Sequence, residues 1–99
     1  MKQSTRELVK IVRGVLSEEP VSKAWLFGSY ARGQECEDSD LDLLVEMAPN
    51  DLTMLGFLKI QTRLEKATDM AVDLIEDRCL EDFARPTAEK EKILIYEAG

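Results

Sequence analysis

The chain has 99 residues, 44% of them hydrophobic, with a formal net charge of −7, two cysteines and no histidine. That is enough for one compact core, so residues 1–99 are expected to form a single domain; intrinsic disorder does not fit, nor does a bilayer-crossing run of roughly 20 apolar residues. The acidity argues against direct nucleic-acid binding, which needs clustered Lys and Arg, and Cys36 and Cys79 alone are too few for a zinc site.

Residues 1–10 are polar and contain no signal-peptide apolar segment, so a cytoplasmic location with free thiols and no membrane contact is expected. Ser4 and Glu7 have the spacing of a capping box, and Leu8, Ile11, Val12, Val15 and Leu16 follow at helical intervals. Pro20, behind Glu18 and Glu19, closes that helix. Residues 21–27 read as a first strand ended by Gly28, and residues 29–33 as a tight turn or the first turn of a short helix. A second strand is predicted over 41–47 and a loop at Pro49-Asn50-Asp51. A long helix follows over 52–67, with Leu55, Phe57, Leu58, Ile60, Leu64 and Ala67 as its apolar positions. Residues 70–75 read as a third strand, 80–90 as a helical stretch broken at Pro86, and 93–97 as a fourth strand. This order predicts an α/β (α+β) domain, a small mixed β-sheet of about four strands with helices packed on it.

The chemistry concentrates between Leu26 and Glu46. Gly28, directly after a strand, lets backbone N–H groups approach an anion; Ser29 adds a hydroxyl donor and Arg32 a charge. Gly28 and Gly33 have the spacing of a P-loop, but Gln34-Glu35 stands where that motif needs Lys and then Ser or Thr. Downstream, Asp40 and Asp42 alternate with Leu41 and Leu43, so in a strand Asp40, Asp42, Leu44 and Glu46 share one face and Leu41, Leu43 and Val45 turn to the core. Two carboxylates on one face suit Mg²⁺, which takes a few carboxylates together with water and substrate phosphates. An EF-hand is excluded, because Leu43 and Pro49 occupy the positions where it needs Gly and Glu. The acids Glu35, Glu37 and Asp38 read as a solvated loop.

Asp73 is a third acid, inside the apolar run Met70 to Ile75. If its strand lies beside the second, it joins Asp40 and Asp42 in a cluster that calls for cations. Otherwise it pairs with Arg78 or Arg63, or sits at an exposed edge.

Gly28-Ser29, ten residues, then Asp40-Leu41-Asp42, with Ala31-Arg32-Gly33 between and Asp73 later, resembles the signature of the DNA polymerase beta-like nucleotidyltransferases, and of the minimal (MNT) type in particular. The resemblance implies the nucleotidyltransferase fold, with Asp40, Asp42 and Asp73 as catalytic residues and ligands of two Mg²⁺ ions. Asp73 would also act as base, and Gly28, Ser29 and Arg32 would bind the triphosphate. It implies transfer of NMP, from ATP or another NTP, to an acceptor hydroxyl with release of pyrophosphate. Minimal members pair with a small helical HEPN-domain protein as toxin and antitoxin, so a HEPN partner modified by AMP is the expected acceptor. Two alternatives stay open: an antitoxin that neutralises its partner by binding alone, and a small-molecule nucleotidyltransferase. The role of Tyr30, packing or nucleotide contact, is also open.

Overall fold

The computed structural model describes residues 3–33, 40–48, 54–76 and 91–98. Along them run α1 (Gln3–Leu16), β1 (Val21–Phe27), α2 (Gly28–Arg32), β2 (Leu41–Met47), α3 (Met54–Thr68), β3 (Val72–Glu76) and β4 (Ile93–Glu97). The acidic run 34–38, the loop at Pro49-Asn50-Asp51, the helical stretch over 80–90, Arg78 and both cysteines lie outside the described residues.

The four strands form one sheet in the order β3-β2-β1-β4. β1 is antiparallel to β2 and β4, whereas β2 and β3 are parallel. A parallel pair cannot be joined by a hairpin, and α3 supplies the crossover between β2 and β3. α1 and α3 pack on each other and on the sheet. Alternation along the strands decides which side chains they meet: Ala24 and Leu26, Leu41, Leu43 and Val45, and Val72 and Leu74 are all buried in one cluster. The helices close that cluster with Val9, Val12, Val15 and Leu16 from α1 and Ile60 and Leu64 from α3.

The helix stripes are narrower than their sequence pattern. Val9 and Thr5 are buried in α1, while Ile11 is 43% exposed. Among the described side chains of α3, Ile60 and Leu64 are buried and Phe57 packs partly against the core; Leu55 is 82% exposed, Leu58 48%, and Ala67 also faces out. A helix lying against one neighbour and one sheet face buries about a third of its circumference, and the remaining apolar residues stay outside. Ser4 sits within α1, which already includes Gln3, instead of capping it from outside.

The strands add one correction, at the start of β3, and one finding of burial, at Leu44. β3 starts at Val72, two residues later than the apolar run suggests. Asp69 takes a left-handed conformation (φ 55) just past the end of α3, and the Met70 sulfur receives the Tyr30 hydroxyl at 3.8 Å. Met70 is thus used in a side-chain contact, and Tyr30 packs against the core at this point. Leu44, expected on the acid-bearing face, is completely buried, flanked by Trp25 on β1 and Ile75 on β3. That face is therefore polar only toward the ends of β2.

Candidate active site

The sheet brings four strand ends to one place. Phe27, the last residue of β1, pairs with Asp42 near the start of β2; Asp42 pairs with Asp73 near the start of β3; Leu26 pairs with Ile93 at the start of β4. Gly28 to Arg32 follow β1 directly as the five-residue α2, so the short helix of the Gly-Ser motif stands over the acids.

Gly28 is required here for two separate reasons. Its φ of +73° lies in the left-handed region, which side chains with a Cβ disfavour. A Cβ built at Gly28 would also collide with the Asp42 carboxylate oxygen Oδ2. The bare backbone thus passes directly over that carboxylate. Ser29 is the next residue of α2 and is half-buried. Phe27, in the cap position, has extended geometry and makes no side-chain capping bond, so the first-turn N–H groups are not capped by a side chain from that residue. Gly33 ends α2 with φ +71°, its N–H donating to the Tyr30 carbonyl at 3.3 Å.

Asp42 and Asp73 lie side by side in register on the parallel pair, roughly 5 Å between strands, and Asp40 immediately precedes β2. Asp40 and Asp73 are exposed and Asp42 is half-buried. Burial pushes the Asp42 carboxyl above its ordinary range, and the charges of Asp73 and then Asp40 push it further; Arg32 pulls it back. Asp73 is thus both beside the motif acids and at an exposed sheet edge. Of its two alternative partners, Arg63 is engaged elsewhere, bonded to Glu18 and Glu19 in the α1–β1 turn.

Three residues that sequence reasoning missed hold these groups in place. Gln61 Nε2 donates to the Val72 carbonyl at 3.0 Å, and the Val72 N–H donates to Glu65 Oε2 at 3.2 Å. Both outward-facing backbone groups of the residue before Asp73 are thereby satisfied from one face of α3. Their i, i+4 spacing beside the buried Ile60 and Leu64 was the available signal. The third is Glu91, whose Oε2 accepts from Arg32 Nη1 at 3.0 Å. It sits in an alternating Glu-Lys run with no periodicity to betray it.

Among the described residues, no group of three or more His, Cys, Asp or Glu side chains forms a ready-made metal site. The donor chemistry nevertheless suits Mg²⁺: hard carboxylate oxygens, few in number, mutually repelling, and accessible. A groove of about 340 Å³ lies elsewhere, between α1 and β4, lined by Arg6, Val9, Lys10, Arg13, Leu94 and Ile95 and by none of the acids.

The family described as Polymerase beta, Nucleotidyltransferase matches residues 10–98. The chain belongs to that family and is a nucleotidyltransferase. It is 32% identical over 75 residues to the protein adenylyltransferase MntA of Thermococcus cleftensis, covering 76% of this chain and 75% of that one. Among solved structures, one described as a minimal nucleotidyltransferase superposes with a TM-score of 0.79 at 31% identity, covering 92% of each chain. A Shewanella oneidensis complex, a tri-AMPylated HEPN toxin with its MNT antitoxin, shares the fold at a TM-score of 0.65 and 21% identity, covering 99% of this chain and 74% of that one. No helix among the described residues is long and apolar enough to cross a membrane.

Proposed function

We propose that this chain is a Mg²⁺-dependent protein adenylyltransferase, the antitoxin of a HEPN-domain toxin, and that it transfers AMP from ATP to a hydroxyl of that partner. The observation that carries the reading is the in-register pairing of Asp42 with Asp73 beneath the bare Gly28 backbone. The names of its relatives point to the same transferred group and acceptor.

Asp40, Asp42 and Asp73 would hold the metal, whose charge offsets that of the triphosphate when bound. Gly28 and Ser29 bind the phosphates through backbone N–H and hydroxyl donors, and Arg32 adds charge at the end of α2. The acceptor oxygen bonds to the α-phosphorus, the bond to the departing pyrophosphate breaks, and Asp73, exposed at the sheet edge, takes the hydroxyl proton. Positioning and electrostatics supply most of the rate, as in phosphoryl transfer generally.

The test is incubation with ATP and Mg²⁺, with and without the co-expressed HEPN protein, followed by intact-mass analysis. One or more AMP units on the partner, lost in Asp42→Ala, is the expected result. A tight complex without any mass change would replace this reading with neutralisation by contact.

A further inference from the structure

We propose that Glu91 is a positioning residue of the nucleotide site, holding the Arg32 guanidinium at the mouth of the acid cluster so that it meets the triphosphate already oriented. This rests on the reading of Arg32 as a triphosphate contact.

The topology places Glu91 where such a role requires. β4 runs antiparallel to β1 with Ile93 opposite Leu26, so the residues just before β4 emerge at the end of the sheet that carries Gly28, Asp42 and Asp73. There Glu91 reaches across 59 positions of sequence to bond Arg32 at 3.0 Å. The pair is only partly open to solvent, the Glu91 side chain being 27% exposed and that of Arg32 43%. The neighbouring Lys92 lies with its Nζ 4.3 Å from the centre of the Trp25 ring, a contact between the residues just before β4 and β1.

Arg32 closes a helix of five residues, too short to fix a long side chain by itself. That helix nevertheless packs on β2, and its first residue, Gly28, lies against the Asp42 carboxylate. A carboxylate on Nη1 orients the guanidinium plane, and a planar fork held in one orientation presents its donors to an anion in a fixed geometry.

Trp25 is the single tryptophan of the chain and lies on β1 near the site, so its fluorescence can follow binding of a non-hydrolysable ATP analogue with Mg²⁺. The same variants are then assayed for transfer to the partner. We expect Arg32→Gln and Glu91→Gln each to weaken analogue binding about tenfold and to raise KM for ATP with kcat little changed. Glu91→Asp should recover part of the loss, and Glu91→Gln should add nothing in an Arg32→Gln background, the signature of two residues acting as one. If Arg32→Gln weakens binding and Glu91→Gln does not, or if Glu91→Gln tightens it, Glu91 does not position Arg32. If Arg32→Gln has no effect, the reading of Arg32 fails and this inference with it. If the wild-type protein binds no analogue, the nucleotide site itself is wrong. Equal losses in thermal stability and in binding, additive in the double variant, would make Glu91 a structural tie only.

Discussion

Two arginines pair with glutamates at opposite ends of β1, and their surroundings differ. At the start of the strand, Arg63 of α3 is bonded through Nη2 to Glu18 and through Nη1 to Glu19, joining the crossover helix to the α1–β1 turn. Those bonds stabilise its charged form. At the far end, Arg32 bonds Glu91 and stands within electrostatic reach of Asp42, where three acids gather. At one end of the sheet two glutamates are tied directly to an arginine; at the other, three aspartates gather beside a glycine turn. Like charges that a fold holds together in this way are a mark of a site.

The largest expected effect tests that difference directly. Asp42→Ala should lower AMP transfer by a hundredfold or more, roughly the loss seen when one preorganised electrostatic group is removed from an active site. Alanine at Glu19, at the other end of β1, should leave kcat within about twofold, since its bond to Arg63 lies away from the aspartates. Rate measurements on the two variants would break the comparison if they fell together.

Next is Gly28→Ala. It combines a left-handed backbone with a collision against the Asp42 carboxylate, so a loss of about 1–3 kcal/mol in denaturant unfolding is expected, together with a fall in activity larger than the stability loss explains. Gly14 offers the control: a Cβ there meets nothing within 4 Å, and alanine in the helix interior should be neutral or stabilising.

A third effect concerns pH. Asp42 has its folded pKa raised above its unfolded value, so the native state holds this proton more readily than the unfolded chain. Stability therefore falls as pH rises through the window between the ordinary and the raised value, and at neutral pH the ionised Asp42 is destabilising. In metal-free buffer, Asp42→Asn should raise Tm at pH 7 while abolishing transfer, and the gain should vanish once pH drops below the ordinary carboxylate range. A lower Tm for Asp42→Asn at pH 7 would contradict the electrostatic account.

The smallest effect belongs to Arg63→Gln. A small decrease in Tm, shrinking in high salt, with KM for ATP unchanged, is the expected outcome for a solvent-screened tie.

Much of the site could be read from residue types and intervals. Asp40 and Asp42 alternate with leucines, and a strand period of two puts acids and core on opposite sides whatever else the chain does. Gly28 after an apolar run marked the turn for a similarly local reason. Val9 against Ile11 was harder, because both lie on the edge of an amphipathic stripe and only the angle at which α1 meets its neighbours selects between them. Leu44 lies outside the core cluster, as its alternation with Leu43 and Val45 implies, but its complete burial was not legible because Trp25 and Ile75 come from other strands.

By itself, then, the sequence determined the order and type of the described elements, the positions of the two motif acids and the glycine turn, since each depends on interactions within a few residues. Tertiary structure alone decided that β3 lies parallel to β2 with Asp73 against Asp42, that Gln61 and Glu65 secure that strand, and that Glu91 reaches Arg32. Those contacts join residues distant along the chain, and periodicity within one segment carries no information about which segment will lie beside it.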